Sequence, residues 1–453
     1  MDIEVLAAKA VKSIAARNAK SYGKKHTAPE LKKEAPVRLE GKAYKVGCAV
    51  KEAMPADITA KAYWIAGHGP GKRITGVHDP MTVSAMWIGA DDAGGIIMVS
   101  VDAVGLTNTE VSRIRCSLSD FCKKTNCAGV NICCTHQHAG IDTVGYWGKL
   151  PKTGKDEQYM AQLMGAVHDV CVQAYEGRTQ GKLYKGTVHV PDAQFDKREP
   201  VVLHDVLTRI RFVPDDGSKE TWLLNFAAHP NTLGGSNYEV SADYPYYLRQ
   251  TIYESADVNV LFGVGAIGAV DPGMYCEDKP ERTRLQGQAL GKAALSIDND
   301  TELEVKITHL CQPFYAPVDN PVLYFLGMLK VMSTARVPCD EGELKVALKT
   351  EMTYIELGSL AILLLPGEAF PETVYGPYEP AQTSATGKGP EINPPPLVDV
   401  IGNKELLVFG VTNDMTGYSV APNDFILNPK KAYLNNGRDR FDRSHYHETN
   451  SLG

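Results

Sequence analysis

Two histidines one residue apart, His136 and His138 in Thr135-His136-Gln137-His138, follow directly on the apolar run Gly129-Val130-Asn131-Ile132-Cys133-Cys134. In extended backbone successive side chains alternate, so both imidazoles are expected on one side. Neutral imidazole is the commonest metal ligand, and the end of a buried strand is where open α/β folds place their chemistry. Taken alone, the pair equally fits polar loop residues or a catalytic base. The arrangement recurs down the chain, however. Thr221-Trp222-Leu223-Leu224-Asn225-Phe226-Ala227-Ala228 ends in His229-Pro230, and Val258-Asn259-Val260-Leu261-Phe262 leads through a glycine-rich turn to Asp271-Pro272-Gly273. Ala361-Ile362-Leu363-Leu364-Leu365 ends in Pro366-Gly367-Glu368, and the run 406–411 leads to Asn413-Asp414 and then Gly417-Tyr418. Each is a short β-rich stretch followed by turn chemistry and a group that binds metal or moves protons. Singly, His229 reads as a loop histidine, Glu368 as a cap for the next helix and Tyr418 as core or surface. Together they read as one site assembled from distant strand ends.

The elements that must position these groups alternate between strand and helix patterns. Strands are predicted over 44–50, 95–102, 344–350 and 353–357, and helices over 108–124, 156–175 and 281–296. A further helix opens at Asp243-Tyr244-Pro245, with Asp as N-cap and Pro in the first turn. The fold class expected is α/β, with mixed β-sheets covered by helices. Residues 1–42 are set apart as a helical, lysine-rich arm lying on the body or on a neighbouring subunit, and 43–453 as a single catalytic domain. The Pro/Gly-rich stretch 376–396 reads as a surface loop or as a lid over the pocket.

Composition bounds the function classes. A formal net charge of −7 over 453 residues makes no electrostatic case for nucleic acid. No apolar run approaches the roughly 18–20 residues that span a bilayer. The start Met1-Asp2-Ile3-Glu4 lacks a secretory pattern, and the ten cysteines include no CxxC pair. Reduced thiols in the cytoplasm are expected. The stretch Gly67-His68-Gly69-Pro70-Gly71-Lys72 lacks the spacing of a phosphate loop. The expected partner is a small-molecule substrate, and homo-oligomerisation is compatible with this composition.

With these residues in hand, the chain resembles the neutral (non-lysosomal) ceramidase family, specifically its catalytic N-terminal domain, from about Lys45 onward. The landmarks are Ala56-Asp57-Ile58-Thr59, Gly76-Val77-His78, Thr135-His136-Gln137-His138-Ala139-Gly140, Phe226-Ala227-Ala228-His229 and Ser241-Ala242-Asp243. They continue with Pro366-Gly367-Glu368, Asn413-Asp414 with Gly417-Tyr418, and His445-Tyr446-His447-Glu448-Thr449-Asn450-Ser451. The resemblance implies a zinc-dependent amidase with Zn2+ held by His136, His229, Glu368 and Tyr418. It places His138 beside the metal or in proton transfer. Two histidines and a carboxylate form a sound catalytic zinc set; the tyrosine is unusual and suits an oxyanion equally well.

Two departures from the family pattern matter. Where the family has Gly-Asp-Val-Ser-Pro, this chain has Gly268-Ala269-Val270-Asp271-Pro272, so the serine is gone and the carboxylate has moved two places. The sequence also stops without the immunoglobulin-like C-terminal domain of the longer ceramidases. Both point away from membrane-derived ceramide and toward a small soluble amide. The expected chemistry is hydrolysis by a metal-activated water, with Asp271 or His138 taking its proton. His78, Asp243 and Arg73 are expected to contact substrate, with His68 near them. The rival readings are a metal-dependent glycoside hydrolase using Glu368, Asp271 and Asp243 as paired carboxylates, and a non-catalytic metal- or ligand-binding protein.

Overall fold

The runs of consecutive apolar residues at the site junctions arise because their strands are buried on both faces. In the structure, a computed structural model that describes residues 2–333, 335–388, 394–422 and 424–453, this two-sided burial is explicit. In Thr82–Ala90, Val83, Ala85 and Trp87 face one core while Met86, Ile88 and Ala90 face another. Gly95–Val101 divides in the same way, with Ile97, Val99 and Val101 against Ile96 and Met98.

These strands belong to a nine-stranded mixed sheet. Helices Asn108–Ser117, Glu157–Glu176, Tyr244–Tyr253 and Lys279–Leu295 cover one face of it. The other face packs on a six-stranded sheet, where Leu223, Leu261 and Phe212 meet Ile355, Ile362, Leu364 and Phe409. The short helices Pro371–Tyr375 and Leu397–Ile401 cover the outer face of that second sheet, against Leu363 and Val408. The α/β class with helix-covered mixed sheets is therefore the observed one. Each fully buried branched side chain contributes about 1.5–3 kcal/mol, so the two inter-layer cores dominate stability.

Several boundaries differ from expectation. The helix predicted over 108–124 breaks at Leu118 into Asn108–Ser117 and Ser119–Thr125, with Thr107 at the cap position of the first. Two strands predicted over 344–357 are one, Val346–Leu357, because it pairs without interruption with Lys306–Pro317. In the stretch set apart as an arm, Ile3–Gly23 is a helix that buries Ala15 and Ala19 against Val318, Tyr324 and Val346. Val37–Glu40 adds an antiparallel edge strand to the six-stranded sheet.

The two sheets are joined where the site lies. Residues 410–413 lace three strand ends together: Gly410 N–H donates to Val264 O, Val411 to Gly367 O, Thr412 to Leu365 O and Asn413 to Ile132 O. Asn413 also accepts the Ile132 N–H through its side chain at 2.8 Å. A left-handed φ of 64° at Asn413 makes this turn, a conformation Asn tolerates better than most residues.

Candidate metal centre

His136 lies two residues past the strand Cys127–Cys134, His229 three past Glu220–Phe226, and Glu368 four past Leu360–Leu364. Tyr418 pairs with Glu368 in a two-stranded parallel ladder. The four groups thus come from both sheets and meet at their junction.

The histidines converge by a different route from the one expected. Strand alternation does not bring them together, since His136 has a left-handed φ of 59°. That turn sends its Nδ1–H to the Val104 carbonyl at 2.6 Å. His229 donates its Nδ1–H to the Val270 carbonyl at 2.9 Å. Each imidazole is thereby held with the Nε2 lone pair facing inward, the second-sphere arrangement that orients metal-ligating histidines. Glu368 Oε2 lies 3.2 Å from His136 Nε2 and 2.9 Å from His229 Nε2. All three side chains are at most 4% exposed. Burial raises the Glu368 pKa, but the His136 and His229 imidazoles against it outweigh that and hold the carboxyl well below its usual range. The Tyr418 hydroxyl bonds Glu368, and burial followed by that carboxylate pushes its pKa well up.

His138 completes the cluster. Its Nε2 lies 3.1 Å from His136 Nε2, and the ligand nitrogens of His136, His138 and His229 fall within 4.8 Å of one another. Unlike the other two, its Nδ1 is buried with no hydrogen-bond partner, so no carbonyl orients it. Burial, then His136, His229 and His68, lowers its pKa far below normal and keeps it neutral. Gly67 makes room for it, since a Cβ there would sit 2.4 Å from the imidazole. The Nε2 atoms of His136 and His229 and the Glu368 carboxylate oxygen around one point, with His138 beside them, are a donor set that fits a divalent cation.

The cluster forms part of the wall of a cavity of about 500 Å³, which is also lined by His68, Lys197, Asn231, Asp271 and Tyr446. Asp271 is on that wall, as expected, yet both its oxygens are engaged. Oδ2 pairs with Lys197 at 2.6 Å and Oδ1 accepts from Asn231 at 3.0 Å. His68, held neutral with a pKa of about 4 chiefly by burial, stands edge-on to His138.

Three expected substrate contacts lie elsewhere. Asp243 is wholly buried as the N-cap of Tyr244–Tyr253, accepting from Tyr244 N–H and the Thr232 hydroxyl. A carboxylate spent on cap and loop donors has none left for substrate. His78 is exposed, with Nε2 at 3.1 Å from the Tyr247 hydroxyl. Arg73 is exposed in a bridge with Trp64. None of the three lines the cavity. The stretch expected as loop or lid also contributes no cavity wall among its described residues. Arg440 donates to the carbonyls of Ser384 and Gln382, and Arg443 to that of Thr383, fastening it down; residues 389–393 lie outside the described residues.

Sequence reading missed Lys197 and Asn231. A lone lysine between Asp196 and Arg198 carries no signal until the strand Gln194–Asp196 pairs with Val270–Pro272 and sets it beside Asp271. A second acidic group, Asp424, Asp439 and His445, is buried as well. It is already neutralised by Arg198 and Arg443 and reads as a structural ion cluster.

No known family model matches the sequence, and no curated protein matches it. Among solved structures the chain is similar to neutral ceramidase from Pseudomonas aeruginosa, with a TM-score of 0.68 at 13% identity, covering 90% of this chain and 71% of that one. It is also similar to a ceramidase complexed with C2, with a TM-score of 0.64 at 13% identity, covering 83% and 69%. The chain has a ceramidase-like fold. No described helix is long and apolar enough to cross a membrane.

Proposed function

We propose that this protein is a metal-dependent hydrolase that cleaves the amide (N-acyl) bond of a small substrate, with Zn2+ held by His136, His229, Glu368 and Tyr418. The observation that carries this reading is the pair of Nε2 lone pairs, both aimed by backbone carbonyls, converging on Glu368 Oε2 at 3.2 and 2.9 Å. When bound, the cation would bring the pKa of a water to about 7 and polarise the scissile carbonyl. The remaining work falls to the chain. His138, neutral and unanchored at Nδ1, accepts the proton of the attacking water and returns it to the departing amine. Asp271 is the weaker candidate for that role, because Lys197 and Asn231 occupy its oxygens; it holds Lys197 against the cavity instead. Tyr418 would join the ligand set through its hydroxyl oxygen, which here keeps its proton and bonds Glu368.

Amide chemistry is favoured over the glycosidic reading because Asp243 is consumed as a helix cap, leaving no free pair of carboxylates among the described residues of the cavity. The ceramidase names of both similar structures support N-acyl substrates in the same direction. All ten cysteines are unpaired, which fits a reducing cytoplasm. Metal analysis of the purified protein tests the proposal. The wild type should carry one zinc per chain and hydrolyse N-acyl amides in a chelator-sensitive way, while His136→Ala should lose both metal and turnover. Full metal occupancy in that variant, or turnover of aryl glycosides instead of amides, would sink it.

A further inference from the structure

The cavity that holds the histidines also holds a positive charge the reaction does not use. Arg336 opens the short strand Arg336–Pro338, which pairs with Val346–Leu357 opposite Leu348. Its guanidinium stands over the rings of Tyr22 and Tyr324, 5.3 Å from each centroid. Its backbone carbonyl accepts the Tyr22 hydroxyl at 2.7 Å. No carboxylate among the described residues pairs with it, and its Nη1 is buried without a hydrogen-bond partner. Lys349, from the adjacent strand, lines the same cavity.

A buried guanidinium nitrogen with nothing to bind is costly, so in a native cavity it marks the place of a missing partner. The cavity's own carboxylates do not supply one. Asp271 is held by Lys197, Glu368 by the histidines, and Asp414 by the backbone N–H groups of Asn108 and Met415. The same cavity carries an apolar patch that includes Val104, Val144, Trp147 and Met332. Val104 supplies the carbonyl that orients His136, and Met332 lies four residues before Arg336.

The geometry points to Arg336 as a specificity-determining residue that binds an anionic terminus of the substrate. The substrate class is then an amide with its scissile bond at the metal, an apolar spacer, and a carboxylate or phosphoryl group at Arg336. The amide part rests on the hydrolase reading; the anion site does not. The two tyrosine rings hold the guanidinium plane in place, so its planar fork is pre-organised for an oxyanion. One of those rings comes from the N-terminal helix, which makes that helix part of the binding site.

The test uses the full, zinc-loaded chain and three 4-nitroanilides of equal length, ending in a carboxylate (adipoyl), a phosphonate or a methyl group (hexanoyl). The better anion should exceed the hexanoyl compound by about 10- to 100-fold in kcat/KM, mostly through KM. The preferred anion identifies the source, carboxylate or phosphate. Arg336→Met should erase the advantage without changing hexanoyl turnover, and Arg336→Lys should restore part of it. Adipate alone, which cannot be hydrolysed, should raise the melting temperature of the wild type and not that of Arg336→Met. Arg336-dependent stabilisation by adipate without any amide turnover would refute the hydrolase reading and leave the anion site standing. Equal turnover of charged and neutral anilides, with adipate acting alike on wild type and Arg336→Met, would overturn the inference.

Discussion

His136 and His138 sit one residue apart yet are prepared for different tasks. His136 accepts a left-handed backbone, at a cost of about 1–2 kcal/mol, and gains the Val104 carbonyl that sets its tautomer. His138 lies in the same cluster with a free Nδ1, as a proton carrier needs. Their substitutions should therefore separate. His138→Gln should keep its zinc while kcat falls by about 10²- to 10⁴-fold. His229→Ala should lose the zinc as well. Metal content measured beside steady-state kinetics decides this, and zinc loss in His138→Gln would move that residue into the ligand set. The ion pair of Asp271 with Lys197 is built into the cavity wall.

Among the elements, the turn 410–413 positions the centre without touching the chemistry. It ties the ends of Cys127–Cys134, Val258–Val264 and Leu360–Leu364 together, and His136 and Glu368 stand a few residues beyond two of those ends. Asn413 is its key residue, combining a positive φ with a side-chain bond to Ile132 N–H. Asn413→Ala loses the bond and puts a residue less tolerant of the left-handed region at this φ, an expected cost of about 1–3 kcal/mol. Asn413→Gly keeps the backbone preference and should recover part of that loss. Urea unfolding of the pair, with zinc affinity measured alongside, checks whether the turn positions the site. Unchanged stability and zinc affinity in Asn413→Ala would remove that role.

For the whole molecule, buried carboxyls set the response to pH. Burial, reinforced by the nearby Asp196, pushes Glu372 up to about 8, and burial pushes Asp79 and Asp196 to about 7. In the unfolded chain such groups titrate near 4. The folded protein thus holds extra protons between about pH 4 and pH 8. The stabilisation is full below that window and is lost as pH rises through the folded pKa values. Glu448 works in the opposite sense: burial raises its pKa, but His445 and Arg198 lower it further, so its contribution is lost as pH falls below the ordinary carboxylate range. The metal-free protein should lose urea resistance steadily from pH 5 to pH 8. Glu372→Gln should flatten that decline and add about 1–3 kcal/mol at pH 8. A stability that rises across the same range would contradict the assignment.

The strand-end groups were legible in the sequence because doubly buried strands leave a local trace, an unbroken apolar run followed by a turn and a polar side chain. That trace is set by short-range chemistry, and it located His136, His138, His229, Glu368 and Tyr418, together with the layered α/β fold. Asp243 was misjudged for the same reason: a cap and a substrate contact look alike until Thr232 and Tyr244 are seen to occupy the carboxylate. Lys197 beside Asp271 and Arg336 between Tyr22 and Tyr324 leave no local trace at all. Asp271 lies 74 residues from Lys197 and Tyr22 lies 314 residues from Arg336 in the chain, so only the packing of sheet on sheet and helix on sheet could bring them together.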